Sequence, residues 1–311
     1  MTIQEIKERY EAITPFIHNT CTLTSTQINQ MIGSEIVFKC ENFQRMGAFK
    51  MRGAANAILS LSEAERARGV VTHSSGNFAQ AVSLAAKLLD TTAYIVMPEN
   101  APDVKKQAVR GYGGIISECE STPQARESLA EQIKNEKGAS FLHPSNDLDV
   151  IVGQGTAALE LLEEYPNLDV IVTPIGGGGL IAGTCLVVDA LNPEIDVVGG
   201  EPAEADDAYR SLKSGKIEYN LSANTIADGL RTHLGDINFP IIQNKVNTII
   251  RVSEEAILSA MKLIYERMKI VVEPSSAVAL GAIFTEPTHF RGKKVGVILS
   301  GGNVDLKKLP F

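Results

Sequence analysis

Apolar positions along this chain alternate between two periods. Ile6, Tyr10 and Ile13 recur at helical spacing behind Thr2 and Glu5, a capping-box pair, so a first helix is expected, ended at Thr14-Pro15. Glu35–Cys40 is a short strand pattern around Ile36, Val37 and Phe38, and Gly53–Leu61 carries the small and apolar spacing of a helix. From Gly69 the chain becomes a regular alternation. Strands are predicted at Val70–His73, Ala93–Met97, Ile115–Glu118 and Ala139–His143, with helices at Phe78–Leu89, Ala101–Arg110 and Pro123–Glu136 between them. A second alternation places helices at Val150–Glu164, Gly178–Leu191 and Ala205–Leu212 and strands at Asp169–Pro174 and Ile195–Glu201. Asn220–Pro240 is rich in polar and loop residues. Beyond it come strand Asn247–Val252, helices Ser253–Met268 and Pro274–Phe284, and a last strand at Lys294–Ser300.

Strands that alternate with helices imply mostly parallel sheets with helices on both faces, an α/β fold. Ligands in such sheets bind beyond the carboxyl ends of the strands. The loops at Ser74, Gly176, Glu201 and Ser300 each follow a predicted strand and are therefore candidate site segments. A chain of 311 residues is long enough for two domains at about 100–200 residues each.

Composition narrows the partners. Apolar residues make up 44% and charged residues 21%, which a packed globular protein needs and a disordered one lacks. A net charge of -8 argues against nucleic acid or an anionic membrane surface as partner. Cys21, Cys40, Cys119 and Cys185 show no metal spacing and are expected as reduced thiols. The charged, amphipathic start Met1–Tyr10 does not resemble a secretory signal, and no apolar run has membrane-spanning length, so a cytoplasmic location is expected.

Two stretches carry chemistry. In Glu41–Arg52, Lys50 stands between Phe49 and Met51, after Gly47 and Ala48, at the mouth of a helix. An amine among apolar groups is partly desolvated, which lowers its pKa and suits it to Schiff-base formation. Taken alone, a helix lysine is more often an exposed one. Gly176–Gly179 lies between a strand and a helix, where glycines let backbone N–H groups converge on an anion at a helix N-terminus. It lacks the Lys-Ser/Thr of a nucleotide P-loop and the spacing of a dinucleotide site. A small phosphate monoester together with a Schiff-base lysine suggests pyridoxal phosphate.

These stretches, with S-S-G-N at Ser74–Asn77 and S-G-G-N at Ser300–Asn303, resemble the fold-type II pyridoxal-phosphate enzymes, whose fold is tryptophan synthase β-like. Within them the chain is similar to the serine racemase and serine/threonine dehydratase group, from about Ile13 to Leu306. The resemblance implies two open α/β domains: a large cofactor-binding domain of residues 1–68 and 147–311, and a small substrate-binding domain of residues 69–146. It implies that Lys50 holds the cofactor and acts as base on one face of the substrate Cα. Phe49 would pack on the pyridine ring and Asn77 would bond the phenolic oxygen. Gly176, Gly177, Gly178 and Gly179 would cradle the phosphate. Ser300 would face the pyridine nitrogen, and a neutral hydroxyl there leaves the ring a weaker electron sink, which favours β-elimination or reprotonation over transamination. Ser74, Ser75, Gly76 and Asn77 would bind substrate, with Ser75 also the acid/base opposite Lys50. Phe78 departs from the family's usual His.

Glu201, Ala205 and Asp207 resemble the group's metal site, two carboxylates and a carbonyl suited to Mg2+, Ca2+ or Mn2+. On spacing alone they would pass for an acidic helix N-terminus. Arg126 matches a family arginine that could pair with a substrate β-carboxylate, although a solvated helix arginine has the same spacing. His143-Pro144 is followed by Ser145 where the family has Asn, which bears on the expected adenine-nucleotide effector. A homodimer is the family expectation. Three functions stay open at this point: a serine racemase with L-serine and L-threonine dehydratase activity; a threo-3-hydroxyaspartate dehydratase, which His233–Gly235 and the Ala48-Phe49 wording also resemble; and a non-enzymatic phosphate binder with Lys50 at the surface.

Overall fold

The computed structural model describes residues 1–309 and 311. Its strands are β1 (Thr22–Thr24), β2 (Glu35–Cys40), β3 (Val70–His73), β4 (Ala93–Pro98), β5 (Ile115–Cys119), β6 (Ser140–Phe141), β7 (Val170–Pro174), β8 (Asp196–Pro202), β9 (Val246–Val252) and β10 (Lys294–Leu299). They form a six-stranded sheet of order β1-β2-β10-β7-β8-β9 and a four-stranded sheet of order β5-β4-β3-β6. Every pairing is parallel except β1 against β2. Parallel strands covered by helices on both faces need continuous apolar runs. β7 and residues 36–40 of β2 are buried throughout, as their Val and Ile content requires. The α/β expectation with mostly parallel sheets therefore holds.

The large sheet separates two cores. Ile250, Met261, Leu280 and Phe290 pack on one face, and Ile151, Leu161, Ile181 and Ile242 on the other. A third core lies between the small sheet and the Lys50–Ser60 helix, around Met51, Ile58, Phe78 and Ile95. All four strands of the small sheet fall between residues 69 and 146.

Several short elements escape the sequence pattern, the Glu63–Arg68 and Pro287–Phe290 helices among them. β1 is a three-residue Thr-rich edge strand with no alternation to detect. The Thr26–Ile32 helix is short, capped by Ser25 and ended by Gly33 in the left-handed region. The Asn238–Lys245 helix lies partly within the segment expected as loop, because Pro240 sits in its first turn, where a proline is tolerated.

The Leu148–Glu164 helix brings the site's two helices together. A Cβ at Gly153 would stand 2.6 Å from the Arg52 carbonyl oxygen, on the Lys50–Ser60 helix. A Cβ at Gly183, on the Gly179–Leu191 helix, would stand 2.3 Å from the Ile151 carbonyl oxygen. Backbone meets backbone at both crossings, so no side chain can yield. Gly153→Ala is expected to lower stability by about 1–3 kcal/mol or more, read as a lower urea midpoint. An unchanged midpoint would mean the two helices slide apart freely.

Candidate active site

The carboxyl ends of three neighbouring strands assemble the site. β2 leads into Glu41–Lys50, β10 into Ser300, and β7 into Gly176. Phe49 N–H donates to the Ser300 carbonyl at 3.0 Å, and Gly302 N–H to the Gly47 carbonyl at 2.9 Å, so the lysine loop and the Ser300–Asn303 loop are stitched together. The helix begins at Lys50 itself, three residues earlier than the sequence pattern indicates.

Lys50 Nζ donates to the Pro144 carbonyl at 2.7 Å and lies 5.0 Å from the Phe49 ring centre and 5.5 Å from that of Phe78. Burial strips the ammonium of water and pushes its pKa down to about 8, against the opposing pull of Glu273. The amine is thus half-free near pH 8 rather than near 10.5. Condensation of pyridoxal with the metal-free, cofactor-free protein is expected to accelerate with pH and level off above about 8. A rate still climbing steadily towards pH 10 would contradict this environment.

Two residues past the lysine, Arg52 is fully buried. Its Nε and Nη2 donate to Glu41 at 2.7 and 2.8 Å, and its Nη1 and Nη2 to Glu160 at 2.8 and 2.7 Å. Lys39 Nζ joins Glu160 at 2.6 Å. This ionic cluster fixes the first turn of the lysine helix from below.

Ser74, Ser75, Gly76 and Asn77 form the turn from β3 into the Asn77–Leu88 helix, all partly exposed. Gly76 N–H meets Ser74 Oγ at 3.3 Å. Asn77 Nδ2 donates to both oxygens of Glu273, at 2.9 and 3.1 Å, and Asn77 Oδ1 accepts from Asn303 Nδ2 at 2.9 Å. Glu273 is buried, and its N–H donates to the Gly301 carbonyl at 3.0 Å. Burial pushes its carboxyl up to about 7, with the Asn77 amide opposing. No motif marks Glu273 in the sequence. It precedes Pro274 at a helix start and is indistinguishable there from an ordinary capping position. Phe78, at the place of the family's His, is buried in the third core and turns its ring to Lys50.

Gly176–Gly179 is buried and runs straight from β7 into the Gly179–Leu191 helix, which has no side-chain cap. Gly178 has φ +83°, and a Cβ at Gly177 would stand 2.4 Å from Ser145 Oγ. Asn238 Nδ2 holds the loop by donating to the carbonyls of Gly177 and Ser145, at 2.8 and 2.9 Å. The first N–H groups of a helix have no partner within it, and here they are buried. An uncapped, buried helix N-terminus lined by glycine fits a phosphate. With Lys50 and the buried Ser300 on adjacent strand ends, these residues fit pyridoxal phosphate.

Glu201 and Asp207 come together at the end of β8. Glu201 accepts from the N–H groups of Ala208 and Tyr209, both at 2.8 Å, so it also caps the Asp207–Ser214 helix. Asp207 Oδ1 accepts from Asn220, while its Oδ2 is buried with no hydrogen-bond partner among the described residues. Burial, and then the charge of Asp207, raises Glu201 well above the usual carboxylate range; burial pushes Asp207 up to about 6. Two desolvated carboxylates with a free oxygen, beside buried Ala205, fit a hard divalent cation. Among the described residues no group of three or more His, Cys, Asp and Glu side chains forms a metal cluster. Asp206, by contrast, pairs with Arg210 and Arg251. Arg126 is half-buried on the Pro123–Lys137 helix, close enough for its charge to lower the pKa of His73, next to Ser74, although burial lowers it more.

Residues 13–301 match the family described as pyridoxal-phosphate dependent enzyme. The chain is 50% identical to a serine racemase of Dictyostelium discoideum, over 99% of this chain and 97% of that protein. It is 49% identical to a beta-hydroxyaspartate dehydratase of Paracoccus denitrificans, over 100% and 98%. The solved structure of maize serine racemase superposes with a TM-score of 0.96 at 46% identity, covering 99% of this chain and 95% of that one. Likeness of this extent, across both sheets and every loop that builds the site, makes this chain a member of the pyridoxal-phosphate dependent enzyme family.

Proposed function

We propose that this chain is a serine racemase that also removes water from L-serine and L-threonine, giving a 2-oxo acid and ammonia. The observation that carries the reading is the desolvated Lys50 amine, its pKa pushed down to about 8, set 5.5 Å from the ring of Phe78, the residue that follows the Ser74–Asn77 turn. Relatives named serine racemase at about half identity support it. Surface placement of Lys50, which a non-enzymatic phosphate binder would need, does not fit an amine set between two aromatic rings.

Pyridoxal phosphate, when bound, withdraws electrons from the substrate Cα and so acidifies its hydrogen. The protein does the rest. N–H groups and hydroxyls of the Ser74–Asn77 turn hold the carboxylate. Lys50, as free amine, takes the α-proton on its face. Ser75 returns a proton on the opposite face, so two groups on two faces invert the centre. Elimination needs Lys50 to take the α-proton and a donor, which the phosphate of bound pyridoxal phosphate would supply, for the β-hydroxyl that leaves as water. Ser75→Ala is therefore expected to lower racemisation by about 10²–10⁴-fold while L-serine dehydration persists within a few-fold. Full-rate racemisation by Ser75→Ala would sink this assignment.

A second reading, threo-3-hydroxyaspartate dehydratase, is favoured by Arg126, whose cation stands near His73 at the substrate turn. A β-carboxylate would find its partner there. Arg126→Leu is then expected to remove hydroxyaspartate turnover selectively; equal losses on serine would count against that role.

The proposal extends to Mg2+, Ca2+ or Mn2+ held by Glu201, Asp207 and the Ala205 carbonyl, as a structural activator. A chelator is expected to lower the unfolding temperature of the wild type and leave Asp207→Asn unchanged. Identical shifts in both proteins would remove these ligands from consideration. It includes a homodimer, a small domain of residues 69–146 that closes on substrate, and a cytoplasmic location. No helix among the described residues is long and apolar enough to cross a membrane. For an adenine-nucleotide effector, a groove of about 410 Å³ lined by Thr24, Ser25, Thr26, Gln27, Glu266, Arg267 and Lys269 offers hydroxyls and two cations against one carboxylate.

A further inference from the structure

We propose that Cys21 and Cys40 are an oxidisable pair, a disulfide-forming modification site on the strand that feeds the Lys50 loop. In sequence the two thiols look scattered. The fold sets them opposite each other. β1 and β2 pair antiparallel with Thr22 opposite Lys39 and Leu23 opposite Phe38. One step outward, Cys21 faces Cys40, and Cys40 N–H donates to the Cys21 carbonyl at 3.1 Å. Directly opposed residues in such a hydrogen-bonded pair have Cα atoms about 5.5 Å apart, inside a disulfide's Cα range, and Cβ atoms about 1 Å beyond its Cβ range, so closing the bond draws the short edge strand β1 inward. Their side chains leave the sheet on the same face.

The pairing is held on both flanks. Lys39 Nζ donates to the Thr20 carbonyl at 2.5 Å, and Thr20 Oγ1 to Glu41 Oε1 at 2.5 Å. The thiols differ in access. Cys21 is exposed, whereas Cys40, Cys119 and Cys185 are buried. Burial chiefly, and then contact with Cys21, raises the Cys40 thiol pKa. An accessible thiol next to a buried second one is the arrangement of an attacking and a resolving cysteine.

With a hydroperoxide as oxidant the steps balance. Cys21 thiolate attacks the outer peroxide oxygen, the O–O bond breaks, and water or an alcohol leaves as Cys21 becomes a sulfenic acid. Cys40 sulfur then attacks Cys21 sulfur and loses its proton. The S–O bond breaks and a second water leaves. The two sulfurs together give up two electrons, and the peroxide takes them. An external dithiol reverses the change by thiol–disulfide exchange. Cys40 pairs with Leu299 in the sheet and precedes Glu41, the Arg52 partner, so the bond would lie between the Ser300 strand end and the lysine loop.

The test treats the holoenzyme with hydrogen peroxide, then alkylates it in denaturant and digests it with trypsin. Thiols are expected to fall from four to two. Cleavage after Arg9, Lys39 and Arg45 should yield peptides 10–39 and 40–45 joined by a disulfide that a dithiol separates. Cys21→Ser should keep all three of its thiols under the same treatment. Oxidation of Cys21 to a sulfinic acid, or to a bond between two chains, with Cys40 still open to alkylation in denaturant, would overturn the proposal.

Discussion

Lys50→Ala should end covalent cofactor capture and turnover together. In the proposed mechanism, loss of the base alone costs about 10²–10⁴-fold in rate, and the same residue would hold the cofactor. The variant should nevertheless fold. In the cofactor-free protein a depressed lysine pKa means that the folded state binds its proton less well than the unfolded chain. That penalty is fully present below about pH 8 and disappears as pH rises through 10.5. The cofactor-free variant should therefore be at least as stable as the cofactor-free wild type at pH 7, and the difference should shrink above pH 10. Paired urea titrations at the two pH values check the sign. A variant markedly less stable at pH 7 would mean that the ammonium is held by partners rather than merely desolvated.

Arg52→Met has the largest expected effect on stability. The guanidinium bridges Glu41 and Glu160 with side chains that are 0%, 0% and 2% exposed. Removing it leaves two buried carboxylates with Lys39 as the remaining cation. Breaking such a buried pair typically costs about 3–5 kcal/mol, a large share of a typical net stability of about 5–15 kcal/mol. Burial on its own would raise the Glu41 pKa, but the charge and hydrogen bonds of Arg52 outweigh it and hold the carboxyl low. A depressed carboxylate stabilises the fold above the unfolded pKa of 4.5, and this is lost as pH falls through the folded value. Arg52→Met should forfeit that contribution and leave burial to raise Glu41, so its urea midpoint should rise from pH 7 to pH 4, while that of the wild type falls. A midpoint near that of the wild type at pH 7 would mean that Lys39 and local water suffice to hold both carboxylates.

The parts of the site legible in the sequence were those where composition itself is the signal. Gly176–Gly179 was legible because four adjacent glycines have few structural excuses, and the fold shows why: a Cβ at Gly177 has no room beside Ser145. Lys50 was legible through its apolar neighbours Phe49 and Met51, and the Phe49 ring does lie 5.0 Å from its amine, joined by Phe78, which no local pattern announced. Glu273 was not, because its role comes from a contact with Asn77 across 196 residues, and no local pattern encodes that. The buried partners of Arg52 were hidden for the same reason, since Glu160 lies on a helix buried from Val150 to Leu162 and nothing in its spacing marks the partner. Cys21 and Cys40 looked unrelated because β1 is too short to leave a strand signature, and without β1 there is no register to oppose them. The sequence thus revealed elements with strong period and residues with unusual neighbours. It withheld contacts made by long-range crossing.

Whether the chain inverts serine is decided by incubating the holoenzyme with L-serine and resolving both enantiomers and 2-oxo acids over time, with L-threo-3-hydroxyaspartate in parallel. D-serine should build up alongside pyruvate under the proposal that Lys50 and Ser75 serve opposite faces of one carbon. Oxaloacetate from hydroxyaspartate, with L-serine left unchanged and no D-serine formed, would contradict the racemase reading and favour the hydroxyaspartate dehydratase one.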